Sequence, residues 1–361
     1  MAYQAVTGKQ GFQRLGDRNT PFDFEQYFVA TIAHNCLLLW DPARLVKWYG
    51  RPYEPAGSQR LIENTCNDFA ASVEGSPRQT ARLLAYGQRH GAAYAALDLT
   101  PAYDPRSSAG YTREFIFLGP RVLTIVDRLK RRPAVDPIWV INIPSRPTVD
   151  GAELSEQTRL AGSDNRAGIW DCDRSRWLRW GDADGCLQMT SLLPAERKLR
   201  VVGGPGDRIS IADGPVAGLA YLGSGPDGFE HLICPATHFK PTNAKPMNAW
   251  YRLGQPTRLG PAFGQSPHWG RIEIEPTATQ EQCVFLTLLF IEPADATEQP
   301  VATLELSDDG MHVVLKTGVE HLELRLPHGS DWGGSIERRG RQSFGWILPK
   351  QVQSDDPLPV D

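Results

Sequence analysis

Residues 113–129 read REFIFL, then GPR, then VLTIVDRL. Two apolar runs rich in β-branched and aromatic residues flank a Gly-Pro turn, which is the pattern of a β-hairpin. The same grammar recurs along the chain. Ile138–Ile143 (IWVINI), Cys186–Leu193, Leu199–Val202, Gly270–Pro276 (GRIEIEP) and Cys283–Glu292 (CVFLTLLFIE) are short apolar runs between turn residues. Ala302–Leu306, His312–Lys316 and Leu322–Leu326 continue the series, and residues 171–185 (DCDRSRWLRWGDADG) predict a hairpin with a glycine-containing end. The 34 glycines and 29 prolines are spread throughout and punctuate the chain into short segments. Pro77–His90 (PRQTARLLAYGQRH) alone predicts a helix, with Leu83, Leu84 and Tyr86 toward a core and His90 beside a Gly91 cap. Ala212–Thr242 reads as loop-rich.

The expected fold is therefore mainly all-β: a large antiparallel β-sandwich (a supersandwich) with one or two short helices. Its expected limits are an N-terminal extension over 1–24, the sandwich over 25–350, and a tail over 351–361. That tail, QVQSDDPLPVD, is polar and proline-containing and reads as disordered, with Pro349 ending the last strand.

Composition narrows the function classes. The 38 Lys+Arg against 42 Asp+Glu give a net charge of −4, which excludes an electrostatic nucleic-acid binder. No apolar run approaches the length of a membrane-spanning helix, so no membrane partner is expected. The N-terminus, MAYQAVTGKQGFQRLGD, shows no charged region followed by an apolar one, so no signal peptide is visible. The six cysteines form no CxxC pair, which argues against a cysteine-based zinc site. Cys36 and Cys283 lie in apolar runs and read as buried small hydrophobes. GSGPDG (Gly223–Gly228) matches GxGxxG, but FEHLICPATHF follows with no helical start, so it reads as a turn. There is no HExxH and no GxSxG. His231 and His238 fall in the loop-rich stretch, and His312, His321 and His328 read as surface residues of strands or loops.

His34 differs by its setting. Phe28–Asp41, FVATIAHNCLLLWD, puts His34-Asn35 at the mouth of an apolar run. Polar side chains at the start of a buried strand are either held by hydrogen bonds or are working. Asn35 suits a backbone partner and a sugar carboxylate equally well.

FVATIAHNCLLLWDP resembles the AHN-plus-hydrophobic-strand signature of the heparinase II/III-like family of polysaccharide lyases. LDLTPAY (Leu97–Tyr103) followed by Tyr111–Leu129 resembles that family's YTR-hydrophobic-DR block. LLPAERKLRVVGGPG (Leu192–Gly206) and WGRIEIEP with VFLTLLF (Trp269–Phe290) resemble its later sandwich strands, so the likeness runs in order over roughly residues 25–292. In that family an α/α toroid precedes the sandwich, and uronic-acid polysaccharides are cleaved between the two by β-elimination. One group neutralises the uronate carboxylate, a base removes the C5 proton, and an acid protonates the leaving glycosidic oxygen.

By this resemblance His34 matches the family's HN motif, and Asn35, Tyr103 and Arg113 match other marked positions. The implied catalytic set is His34, Tyr103 and Arg113. Asn35 would bind substrate, with Trp48, Tyr49 and Tyr53 lining a groove. For Tyr103 and Arg113 a packed tyrosine and a strand-end ion pair stand beside catalysis as equal alternatives. Some members hold a structural zinc in this sheet, for which His34 is the candidate ligand and no other cofactor is implied. The implied partners are an acidic polysaccharide, heparin-type or alginate-type, and a separate toroid domain or chain, in the periplasm or secreted. The sequence departs from the family in having no toroid before the sandwich, Cys36 after Asn35, and Thr287 where related strands carry histidine. Three readings follow: a lyase sandwich that needs a toroid, a sandwich active alone, and a non-catalytic carbohydrate-binding or structural module.

Overall fold

The computed structural model describes residues 35–40, 46–48, 51–54, 59, 80–164, 167–181, 185–203, 221–224, 230–233, 250–252, 270–278, 280–296, 299–317, 320–340 and 343–353. Its contacts divide the chain into two compact units, each drawn from separated stretches. One takes Met1–Gln59, Ala134–Ser175 and Arg197–Thr277; the other takes Arg60–Pro133, Arg176–Glu196 and Ala278–Asp361.

The hairpin of residues 113–129 is the centre of the second unit. Its strands extend to Ser108–Leu118 and Val122–Arg131 and pair antiparallel, with Leu118 opposite Val122 and Arg113 opposite Asp127. Outward from it lie Ala92–Asp98 and Arg82–Arg89 on one side, and Gln282–Glu292, Cys186–Leu193 and Leu178–Gly181 on the other. A five-stranded antiparallel sheet belongs to the same unit: Val301–Ser307, Gly310–Thr317, Glu320–Leu326, Gly334–Arg339 and Phe344–Leu348, in chain order. Ile116, Leu118, Val126, Leu286, Leu288 and Phe290 from the longer sheet form one apolar core with Met311, Val313, Leu315, Leu324 and Trp346 from the shorter. Alternation by two along each strand puts these residues on one face, which is why a sandwich forms.

In the first unit Leu37–Trp40, Asp136–Ile143, Gly270–Pro276, Arg197–Gly203, Ala167–Asp171 and Arg159–Asp164 form a six-stranded antiparallel sheet in that order. Leu37, Trp139 and Ile274 stand in one cross-strand row, and Ile141, Ile272 and Val201 in the next. These side chains are 0–4% exposed and share one face of the sheet, alternating along the GRIEIEP strand with Arg271 and Glu273.

The expected all-β sandwich is what forms. Among the described residues the only helical segments are the three-residue 3-10 turns Thr100–Ala102 and Glu156–Thr158. The helix expected over Pro77–His90 is a correction, because Arg82–Arg89 is a strand paired with Ala92–Asp98. Ala85 and Gly87 face inward while Leu83 is 46% exposed, so the small residues are the buried ones. His90 and Gly91, at φ 49° and 74°, make the two-residue left-handed turn that such hairpins favour. Ala212–Thr242 is not all loop: Tyr221–Ser224 pairs antiparallel with Glu230–Ile233. GSGPDG begins in the first of these strands, and its residues 225–228 lie outside the described residues. Val46–Trp48 and Arg51–Glu54 form a further hairpin. Gln351–Gln353, read as the start of a disordered tail, instead lies along Arg82–Arg89.

Candidate functional site

His34 and Tyr49 lie outside the described residues, as do the side chains of Trp48 and Tyr53. Asn35 is described and exposed. Its side-chain carbonyl accepts a 2.8 Å hydrogen bond from the Asn142 backbone N–H. Next to it the Cys36 carbonyl accepts from Val140 N–H at 2.9 Å, so the pairing of Leu37–Trp40 with Asp136–Ile143 continues past the strand end. Of the two partners Asn35 suits, its carbonyl holds the backbone. Arg271 sits opposite Asn142 on the neighbouring strand and donates through Nε to Glu273 at 2.6 Å, both side chains buried. Asn35→Ala is therefore expected to lower stability by about 1 kcal/mol, measured by urea unfolding. A neutral substitution would show that the bond carries nothing.

Tyr103 and Arg113 belong to the second unit, and the fold brings them together. The Arg113 guanidinium grips Asp127 through Nε at 2.6 Å and a terminal nitrogen at 2.9 Å. The Tyr111 hydroxyl donates to the same carboxylate at 2.6 Å. Tyr103 packs edge-on against the Tyr111 ring, centroids 5.6 Å apart. All four are buried, Asp127 completely and Tyr103 to 1% exposure. The Arg113 guanidinium also lies 6.0 Å and 5.9 Å from the ring centres of Tyr111 and Phe115.

The Tyr111 hydroxyl keeps its proton tightly in this arrangement. Burial, above all, pushes the Tyr111 hydroxyl well above its ordinary value, and the Asp127 charge adds to it against the opposing pull of Arg113. A tyrosine that removes a proton needs the opposite shift. Arg113 is committed to a carboxylate of its own chain.

A second cluster occupies the opposite face of the same hairpin, inside the sandwich. Glu114 accepts from the Tyr94 hydroxyl at 2.7 Å, from Arg128 Nε at 2.7 Å and from Gly333 N–H at 2.8 Å. Arg128 also donates to the carbonyls of Pro327 and Gly329, tying the connection before Gly334–Arg339 to the longer sheet. Burial raises the Tyr94 hydroxyl too, reinforced by the Glu114 charge. For both tyrosines the folded pKa lies above the ordinary 10.0. The folded state therefore binds these protons more tightly, and the stability it gains is present below pH 10 and lost as pH rises beyond it. Phenolate absorbance is expected to show two tyrosines that ionise only on unfolding. Full ionisation of every tyrosine near pH 10 in the folded protein would contradict this.

Neither cluster was read from the sequence beyond Tyr103 and Arg113, yet the hairpin carried the signal. A Gly-Pro turn closing Leu118 onto Val122 sets Arg113 opposite Asp127 by counting, and places Glu114 and Arg128 on the other face. His312 and His321 lie on the five-stranded sheet, 3.1 Å and 3.7 Å from Glu323, which Arg325 and Arg339 also approach at 3.5 Å and 3.3 Å. His328 is exposed and bonds the Ser307 carbonyl at 2.6 Å.

Among the described residues there is no group of three or more His, Cys, Asp or Glu placed to hold a metal, and His34, the candidate zinc ligand, lies outside them. Among the described residues Cys36, Cys172, Cys186 and Cys283 are not joined in disulfides, and burial pushes Cys172 up to about 12 with help from the nearby Asp171, Asp173 and Asp150 charges.

No protein-family model and no curated protein matches the chain. Among solved structures it is similar to a heparan sulfate lyase from Pedobacter heparinus, at 8% identity and a TM-score of 0.41, over 91% of this chain and 32% of that one. It is also similar to a heparinase III at 10% identity and a TM-score of 0.39, over 89% of this chain and 31% of that one. The chain thus spans about a third of the length of these structures. Similarity at this level concerns the course of the strands and assigns no residue a role.

Proposed function

We propose that this chain is the β-sandwich part of a polysaccharide lyase that acts on uronic-acid-containing polysaccharide by β-elimination, with a toroid domain supplying the rest of the active site. The observation that carries this reading is the ordered run of lyase-like blocks, whose residues are strands of the two large sheets, the first at the edge of its sheet and the later ones inside. The strand after His34-Asn35 pairs with Asp136–Ile143, which pairs with the GRIEIEP strand. The YTR and DR segments pair with each other, and the VFLTLLF strand pairs with the second of them.

Elimination needs a neutraliser for the carboxylate, a base and an acid. Arg113 faces Asp127 and Tyr103 is walled in, so neither of these two stands in an open position. In this reading His34 is the sandwich's contribution, and the carboxylate is neutralised from the toroid side.

The test is retention on immobilised heparan sulfate, chondroitin sulfate, alginate and polygalacturonate, followed by the absorbance of the unsaturated uronate once a toroid domain is added. Retention on at least one polymer and cleavage only with the toroid are expected. Retention with no cleavage under either condition would favour a carbohydrate-binding module instead. Absence of retention on every polymer would overturn the proposal.

A further inference from the structure

Arg82–Arg89 is the outermost strand of its sheet, with Ala92–Asp98 on its inner side. An edge strand presents unpaired N–H and C=O groups that invite another chain. Here the chain's own C-terminal segment lies on that edge. Tyr86 N–H donates to the Gln351 carbonyl at 3.4 Å, and Gln353 N–H donates to the Tyr86 carbonyl at 2.9 Å, with Val352 as the parallel bridge partner of Tyr86. Gly87 stands close to this segment. A Cβ there would stand 2.6 Å from Gln353 Oε1, 3.1 Å from the Pro349 ring and 3.3 Å from Trp346.

We propose that Gln351–Gln353 is a strap over a self-association edge, and that its release lets two copies of this chain pair antiparallel through Arg82–Arg89. The occupant follows from the strand. Tyr86 turns both its N–H and its C=O outward, the geometry of a residue that exchanges two bonds with its own symmetry mate. A two-fold axis through Tyr86 sets Leu84 against Gln88, Leu83 against Arg89 and Arg82 against His90, so no two arginines are opposed. Leu83, 46% exposed, would gain a neighbour. The strap therefore does for this edge what covering loops do elsewhere.

The experiment is size-exclusion chromatography with light scattering on the full chain, over a range of concentrations. Gln353→Pro removes the donor N–H at an exposed position, and Gln353→Ala keeps it. Gly87→Ala acts from the strand side. Gln353→Pro and Gly87→Ala are expected to double the apparent mass as concentration rises, while wild type and Gln353→Ala stay monomeric. Thermal melts on the same samples establish that each variant is folded. Folded Gln353→Pro and Gly87→Ala variants that both remain at the wild-type mass would overturn the proposal. So would open-ended aggregates in place of a dimer, or a wild type that dimerises as readily as the variants.

Discussion

Replacing Asp127 with alanine is expected to destabilise the unit that holds it by about 3–5 kcal/mol, because it strands a buried guanidinium. Arg113 is 8% exposed and Asp127 0%, so little solvent reaches the charge left behind. The Tyr111 hydroxyl loses its acceptor in the same substitution. Against a total stability of roughly 5–15 kcal/mol for a domain, this is a large fraction. The double replacement Arg113→Met with Asp127→Leu is expected to recover much of the loss, since an apolar pair of similar volume removes the stranded charge. Urea unfolding of the single and double variants measures both. An Asp127→Ala protein as stable as wild type would show that the pair does not hold the hairpin.

Glu114→Ala is expected to be equally severe, about 3–5 kcal/mol, for a related reason on the other face. Arg128 is 1% exposed at its side chain, and the Tyr94 hydroxyl and Gly333 N–H use the same carboxylate. Tyr94→Phe removes only one hydrogen bond and is expected to lose about 1 kcal/mol. The two variants should differ in where they loosen the fold. Glu114→Ala should speed hydrogen exchange at Gly333 and its neighbours, because Arg128 holds that connection through the Pro327 and Gly329 carbonyls. Unchanged exchange there would mean the connection is held by something else.

The first prediction rests on Arg113 being buried against Asp127, a pairing that the sequence alone did not decide. A tyrosine before a strand and an arginine within one look the same whether packed or catalytic. What separates them is the partner across the hairpin, and that partner depends on register. For Arg113–Leu129 the register was legible, since the turn is short and the flanking runs are unambiguous. For Arg82–Arg89 the pattern was inverted. The bulk that fills that part of the core comes from Trp346 and other residues far along the chain. The strand contributes Ala85 and Gly87, while Leu83 faces outward. Apolar spacing then resembles a helix, although the His90–Gly91 turn was visible in the letters. Gln351–Gln353 shows the same limit: its polar composition says nothing about an edge strand more than 260 positions earlier. Asn35 was legible as a held polar residue but not as to what holds it, because Asn142 lies 107 residues away.

The charge distribution of the two hairpin faces also bears on function. Each buried carboxylate is matched to an arginine and a tyrosine hydroxyl. That leaves the strand end at His34-Asn35 as the place where the sandwich meets substrate in the proposed reading.

The isolated chain mixed with each uronic-acid polysaccharide, and followed by the absorbance of the unsaturated uronate, tests the central claim most directly. The account predicts a flat trace for every polymer, including any polymer that retains the chain, because in the proposed reading the sandwich holds only part of an elimination site. A rising trace from the chain alone that disappears in His34→Ala would contradict it, and would mean that the sandwich carries a complete active site of its own.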